Sequence, residues 1–384
     1  MMPGAVLDPP PVVVLSGIRW DFLWQRHQIL ATRFARAGYK TVFVETTGLS
    51  TPGLDISTLR KVASRLRRSG GGGERYLGEP NLTVYSPLVA PPTWKAFRFS
   101  NRRLLLPRVA RDVRGICGGV PIVVAYPPTR TTLDLISGLQ PRLLYYDCSE
   151  DYEGFPGVPK DIASTERELL RRADVVSCTS PSLIEKVKPL RPDAFPSGPG
   201  VDYGQFAALQ REDPGQVRTV GYFGHLGRER IDFAALRAVA EAGFTVRLVG
   251  DVGDVDRGFL DNPRVDHVGE VPHRKLPAAL EGVDAFILPY RDNRLTRGIS
   301  PAKTYECLAT GKPVVASPLP ALRDIGDHLY LCEAPEDFVA ALKNLESLET
   351  KEKVRARLDL ARRNSWDARF EEIEGKIWNV LETV

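Results

Sequence analysis

The chain has 384 residues, 43% of them hydrophobic and 26% charged, ordinary globular values at a length that suits two cores; disordered and fibrous classes are excluded as wholes. Five scattered cysteines (Cys117, Cys148, Cys178, Cys307, Cys332) show no Cys-x-x-Cys spacing, so reduced and mostly buried thiols of a cytosolic protein are expected rather than a zinc, redox or disulfide framework. The net charge of +4 hides an asymmetry: residues 1–200 hold 27 Lys/Arg against 18 Asp/Glu, residues 201–384 hold 25 against 30, and residues 51–115 alone hold 13 against 4.

In chain order, MMPGAVLDPPP lacks the basic region and apolar run of a secretory leader, and no stretch approaches the roughly 20 apolar residues of a membrane span. PVVVLSG (11–17) then reads as a strand, residues 23–37 as an amphipathic helix closed by Gly38, and TVFVE (41–45) as a second strand, a βαβ opening. SGGGGERY (69–76) reads as a flexible loop after a basic helix. NLTVYSP, PIVVAYPP, RLLYYDCSE and DVVSCTS read as further strands, with a helix over 164–173 before the last. After the Pro/Gly-rich interval 195–206 the scheme restarts: strands at 219–224, 244–250, 264–271, 285–290 and 313–317, helices at 231–243, 275–283 and 301–309, and further helices to the end. Such alternation predicts an α/β architecture of two Rossmann-like, doubly wound parallel sheets joined near residue 200.

The most informative segment is SPAKTYECLATGKPVVA (300–316). Ser300 suits an N-cap, Pro301 the first helical position and Gly311 the C′ position. At 100° per residue Lys303, Glu306 and Thr310 share one face, and Ala302, Tyr305, Leu308 and Ala309 the other, which would pack on the sheet. A lysine in the first turn stands at the positive end of the helix dipole, so it points to a compensating anion such as a diphosphate. Glu306, one turn on, could accept hydrogen bonds from a ribose diol. An exposed i,i+3 Lys–Glu pair worth about 0.2–0.5 kcal/mol explains the same two residues.

With Glu306, Gly311, Pro313, Val314 and Val315 in that order, the segment resembles the nucleotide-binding signature of GT-B glycosyltransferases, family 4 or group 1 especially. The resemblance extends to GYFGHLGRERIDF (221–233), VGEVPHRKL (268–276), SGPGVD (197–202) and WQRHQILATRFARAGYKTVFVE (24–45). It implies a GT-B fold with an acceptor-binding domain over 1–198, a sugar-nucleotide domain over 199–365 and a C-terminal helix, 366–384, returning to the first domain. It also implies a loop beside the donor diphosphate in which Gly224 allows close backbone approach and Arg228 or Arg230 supplies charge. Through a more distant similarity to xanthan-type glucuronosyltransferases, Glu270, Val271 and Tyr290 would contact base or sugar. One departure is clear: Gly298 stands where family 4 carries a second glutamate, leaving donor-sugar recognition and stereochemical outcome to other residues.

On the acceptor side, RLLYYDCSEDYEGF brings Asp147, Glu150 and Asp151 to the C-terminal end of a strand, where catalytic groups collect in doubly wound folds. Asp151, with Glu150 beside it, is the candidate general base; acids there also cap a following helix. Gly17, Arg26 and His27 are acceptor-side candidates that would face a crevice. No metal or other cofactor is expected, because the acidic GDVGDVD loop (250–256), its Asp254-Val255-Asp256 included, is accompanied by no His/Asp cluster or other supporting ligand pattern.

The expected donor is a nucleoside diphosphate sugar, uridine-linked, and the expected acceptor a saccharide, a lipid-linked compound or a small secondary metabolite. A sugar-nucleotide 2-epimerase and a non-catalytic binding protein are the alternatives on the same fold. The stretch 95–114 mixes arginines with Phe97, Phe99, Leu104, Leu105 and Leu106, as interfacial membrane helices do and as a solvated helix with arginine stems over core edges also does. A cytoplasmic enzyme, peripheral on the inner face of a membrane and without nucleic-acid partners, is the resulting expectation.

Overall fold

The structure, a computed structural model, describes residues 9–21, 24–45, 74–75, 78–87, 89, 95–155, 157–211, 215–253 and 257–383. Two compact units divide the chain, one made of residues 1–197 with 370–384 and the other of residues 198–369. The helix Trp366–Leu381 therefore gives its first turn to the second unit and the rest to the first.

Within the first unit the strands are β1 (Val12–Leu15), β2 (Thr41–Val44), β3 (Glu74–Arg75), β4 (Leu82–Tyr85), β5 (Ile122–Ala125), β6 (Leu143–Cys148), β7 (Val175–Cys178) and β8 (Phe195–Pro196). They lie in the order β3-β4-β2-β1-β5-β6-β7-β8, parallel throughout except for β3. Central strands bury both faces, which is why VVVL, TVFV and IVVA read as unbroken apolar runs rather than alternating ones. One layer of core holds Val13, Val42, Val123 and Tyr146; the opposite layer holds Val14, Phe34, Phe43 and Tyr145, closed by Phe370, Ile373 and Ile377 of the C-terminal helix. The opening helix runs over Arg26–Arg36, three residues later than its apolar pattern suggests, because Gln25 forms a reciprocal capping box with Gln28. Of the Gly-rich loop over 69–76, Glu74–Arg75 pairs antiparallel with β4, and the remainder lies outside the described residues, as does the basic helix before it.

The second unit is a six-stranded, wholly parallel sheet of β9 (Thr219–Phe223), β10 (Thr245–Val249), β11 (Val265–Gly269), β12 (Ala285–Leu288), β13 (Val314–Ala316) and β14 (Tyr330–Leu331). Their order is β11-β10-β9-β12-β13-β14. Both sheets reverse their winding beside the first strand of the unit, between β1 and β5 and between β9 and β12. A crevice opens at the carboxyl ends of the strands at such a reversal, and ligands of doubly wound sheets bind there.

All five cysteines are free and buried. Among the described residues no helix is long and apolar enough to cross a membrane.

Candidate active site

At the reversal in the second unit, β9 ends in Tyr222-Phe223 with Gly224 next, and β12 is followed by Pro289-Tyr290. The side chain of Lys303 occupies the gap. Its Nζ donates to the Tyr222 hydroxyl at 2.8 Å and lies 4.2 Å from the Tyr222 ring centroid, 5.9 Å from that of Phe223 and 6.0 Å from that of Tyr290. Three aromatic faces thus stabilise one ammonium, and a lysine carries three donors of which the hydroxyl takes one. Burial pushes the Tyr290 phenol up to about 12, so it is neutral at physiological pH. Gly224 adopts φ +109°, and a Cβ built on it would lie 2.6 Å from Lys303 Nζ. Glycine at 224 is what lets the lysine reach this position.

The helix bearing Lys303 spans Lys303–Leu308, shorter than the 301–309 pattern. Ser300 is not its N-cap. Thr304 N–H donates to the Pro301 carbonyl and Tyr305 N–H to that of Ala302, a tight first turn built from backbone alone. The buried stripe is Thr304, Cys307 and Leu308, while Ala302 is exposed and Tyr305 only half-buried. Thr310 is wholly buried, its hydroxyl donating to the Cys307 carbonyl at 2.6 Å, so it leaves the face assigned to Lys303 and Glu306. Because the C-cap is Ala309, Thr310 rather than Gly311 holds the C′ position; Gly311 follows it with φ +71°, and a Cβ there would sit 2.8 Å from the Arg211 carbonyl oxygen.

Glu306 is not an isolated partner of Lys303: its Oε1 is 2.7 Å from His273 Nε2. That hydrogen bond, against the opposing effect of burial, raises the His273 pKa above its ordinary value. His273 is itself anchored, since its carbonyl accepts from Gln205 Nε2 at 2.6 Å and its ring stands edge-on to Phe206. Glu270 is exposed and Val271 half-buried just past the end of β11, and Pro272 follows them into the turn that delivers His273 to Glu306. The two arginines separate. Arg230 acts electrostatically on the Tyr222 phenol beneath Lys303. Arg228 instead lines an open cavity of about 690 Å³ with Arg237, Arg291 and Phe259, beside the start of the helix Phe233–Glu241.

In the first unit, Arg26 and His27 are buried rather than open to a crevice. Arg26 Nε donates to Asp147 Oδ2 at 2.6 Å and its Nη2 to Ser197 Oγ at 2.9 Å, while Ser177 Oγ donates to Asp147 Oδ1 at 2.8 Å. A carboxylate buried at the end of β6 needs such company, and Asp147 is satisfied by it. His27 stacks on Tyr126 with centroids 3.5 Å apart and shares a 2.8 Å hydrogen bond with Ser16 Oγ. Burial pulls its pKa down to about 3, which keeps the imidazole neutral. Gly17 sits half-buried in the bend after β1. Asp151 is exposed and its Oδ1 accepts from Lys186 Nζ at 2.7 Å; the same ammonium reaches Glu153 at 3.4 Å and Glu166 at 2.8 Å. Glu150 is exposed beside it. Glu150 and Asp151 thus stand next to each other after the strand end, both exposed, whereas Asp147 is buried. Among the described residues no group of three or more His, Cys, Asp or Glu is placed to hold a metal ion, and residues 254–256 of the acidic loop lie outside them.

His273 and the Tyr222 hydroxyl are the participants that spacing did not single out. They belong to VPHRKL and GYFG, but their roles depend on which side chains cross from β9 and from the turn after β11 to the helix, which sequence distance does not encode.

Two Rossmann-like units with all but one strand parallel are the architecture of the GT-B class of fold, which the solved structures named below share. Residues 217–347 match the family model described as Glycosyl transferases group 1. The chain is similar to the Bacillus subtilis (strain 168) protein TuaH, named as a teichuronic acid biosynthesis glycosyltransferase, at 28% identity over 241 residues. That match takes in 56% of this chain and 59% of TuaH, so the chain spans under two thirds of that relative's length. Among solved structures it resembles the sucrose-phosphate synthase of Thermosynechococcus elongatus (14% identity, TM-score 0.61, 98% of this chain and 100% of that one). It also resembles the Anabaena HepE protein, solved with UDP and glucose (13%, TM-score 0.60, 96% and 99%), and a Burkholderia vietnamiensis UDP-forming trehalose-phosphate synthase (10%, TM-score 0.63, 97% and 98%). At these identities the structural likeness speaks for the fold alone.

Proposed function

We propose that this protein is a glycosyltransferase that moves a sugar from a nucleoside diphosphate, uridine-linked, onto an acceptor hydroxyl. The observation that carries the reading is the caged Lys303 ammonium beside Gly224, with Glu306 one turn along the same helix. In this reading Lys303 donates to the diphosphate and Arg230 adds charge from the loop after β9. Glu306 accepts from the ribose diol with the carboxylate oxygen that His273 leaves open, and His273 acts as the residue that orients it. Glu270, Val271 and Tyr290 bound the base and sugar, and Ser300, just before the helix, is the remaining donor-side candidate.

Transfer breaks the bond between the anomeric carbon and the diphosphate oxygen and forms one to the acceptor oxygen, whose proton passes to a base. Negative charge grows on the leaving diphosphate, and in this reading Lys303, held by Tyr222, and Arg230 offset it; cations prearranged for developing charge lower the barrier most. Asp151, with Glu150 beside it, is the proposed base, released from Lys186 when acceptor binds. The reading assigns charge neutralisation to these side chains, so turnover with metal removed by chelation is expected to persist.

The acceptor class is a saccharide, a lipid-linked compound or a small metabolite. The experiment is a screen of sugar nucleotides by thermal shift, followed by product analysis with donor alone and with acceptors. Stabilisation by a uridine diphosphate sugar and acceptor-dependent release of uridine diphosphate support the reading. Epimerised donor without acceptor, or binding without turnover, contradicts it.

A further inference from the structure

The first unit carries an exposed face that its fold does not use. The helix Lys95–Ser100 passes through a π-helical turn, Asn101–Leu105, into the helix Leu106–Cys117. Leu106, Val109, Ala110, Val113 and Cys117 fill the sheet-facing side, and Asp112 accepts from the Tyr85 hydroxyl at 2.9 Å. Arg98 is committed to Asp161 through a fork of 2.8 and 3.2 Å. The inward side is therefore complete.

Outward stand Phe99, 67% exposed, and Leu104, 57% exposed, two of the three most exposed large hydrophobic side chains among the described residues. Arginines surround them. The Arg103 guanidinium lies 5.8 Å from the Phe99 ring centroid, and Arg108 Nη1 donates to the Leu104 carbonyl at 3.2 Å. Arg111 and Arg114 are exposed on the following turns, Arg111 seven residues from Leu104 and so on the same side of the helix. Arg102, also exposed, lends its charge to Asp134 as well. Apolar side chains standing proud among long cationic ones match a bilayer surface, where rings and leucines enter the acyl boundary and guanidinium groups meet anionic headgroups. A protein partner of the same chemistry would call for acidic and apolar groups in fixed positions, whereas a bilayer supplies both laterally without them.

We infer that the face formed by Phe99, Arg103, Leu104, Arg108, Arg111 and Arg114 is a docking surface for a membrane rich in anionic phospholipid. This rests on the glycosyl-transfer reading only for its purpose, delivery of a lipid-linked acceptor, and its measurement is independent of that reading.

The test is co-sedimentation of the full chain with vesicles of phosphatidylcholine alone or mixed with phosphatidylglycerol. The wild type is expected to pellet with the mixed vesicles, to stay in solution with the neutral ones, and to be released by high salt. Arg103→Glu/Arg108→Glu/Arg111→Glu is expected to weaken partitioning by at least on the order of a hundredfold, from the effect of removing three cations near a charged surface. Phe99→Ser/Leu104→Ser is expected to reduce it at all salt concentrations, which a purely electrostatic contact would not show. Uridine diphosphate binding and the melting temperature report whether each variant is folded, and neither should change. No pelleting of the wild type, partitioning unaffected in both folded variants, or arginine-dependent binding of a labelled single-stranded RNA without vesicle binding would overturn the inference. Failure of uridine diphosphate to bind, with pelleting intact, would count against the transferase reading alone.

Discussion

Replacing Gly224 by alanine tests the site at its tightest point. The added methyl would lie 2.6 Å from Lys303 Nζ and 3.3 Å from Cε, at a backbone φ of +109°. Backbone strain of that kind costs about 1–3 kcal/mol, and in the 172-residue unit spanning 198–369 this corresponds to a Tm drop of about 3–9 °C. The lysine tip must also retreat by about 1 Å to restore an ordinary contact, which breaks its 2.8 Å bond to Tyr222. Losing one charge-assisted contact to a phosphate costs about 1.5–3 kcal/mol, so uridine diphosphate should bind about 10–100-fold more weakly by isothermal titration calorimetry. Because the effect acts through Lys303, the double variant Gly224→Ala/Lys303→Ala should bind no worse than Lys303→Ala alone. Strictly additive losses, or unchanged affinity in a folded Gly224→Ala protein, would refute the role assigned to this glycine.

Further outcomes follow from the same geometry. His273→Ala should weaken nucleotide binding several-fold by freeing Glu306 to rotate, and His273→Gln should restore part of the loss, both read by calorimetry. His27 is held neutral with a pKa near 3, so the unfolded chain binds more protons than the folded one between that value and about 6.5. Its contribution to stability is therefore present above about pH 6.5 and is lost as pH falls toward 3; the acid slope of denaturant midpoints should flatten in His27→Gln, itself less stable at neutral pH. Burial likewise pulls Lys312 down to about 8. Stability should then rise as pH goes from about 8 to 10.5, and Lys312→Met should remove that rise in thermal scans. Asp151→Asn should abolish acceptor-dependent turnover with donor binding intact; equal loss of binding would make the Lys186 ion pair its only role.

Much of the fold was legible because buried parallel strands advertise themselves. VVVL, TVFV and IVVA are apolar on both faces, and the return of the same grammar at TVGYF marks the second sheet. Helix limits were read less well where backbone groups, not side chains, close the turn. Ser300 and Pro301 carry the residue preferences of a helix start, yet the helix begins at Lys303 because Pro301 and Ala302 carbonyls take up the first amides. The 100° projection failed over the same residues: a helix of 6 residues ending in a tight turn drifts from ideal phase, which moved Thr310 into the core.

The candidate site was half legible. Lys303 stood out because a cation at a helix start asks for an anion, and Glu306 because it is one turn away. His273 and Tyr222 were not legible in this sense, since their contacts run over 33 and 81 residues of sequence. For Arg26 and His27 the sequence leaves a ligand-facing and a structural role open for a related reason. Polar residues at the head of a helix after the first strand look ready for a ligand, but Asp147, 121 residues further on, takes the arginine inward.

Direct titration of uridine diphosphate into the wild type, Lys303→Ala and Glu306→Ala proteins bears on the central claim most closely. The wild type should bind saturably and one to one. Each variant should lose about 10–100-fold in affinity with its melting temperature little changed, and selectivity for a ribose over a 2′,3′-dideoxyribose nucleotide should disappear in Glu306→Ala. A wild-type protein without measurable affinity for uridine diphosphate or another nucleoside diphosphate, or one whose affinity is indifferent to both substitutions, would contradict it.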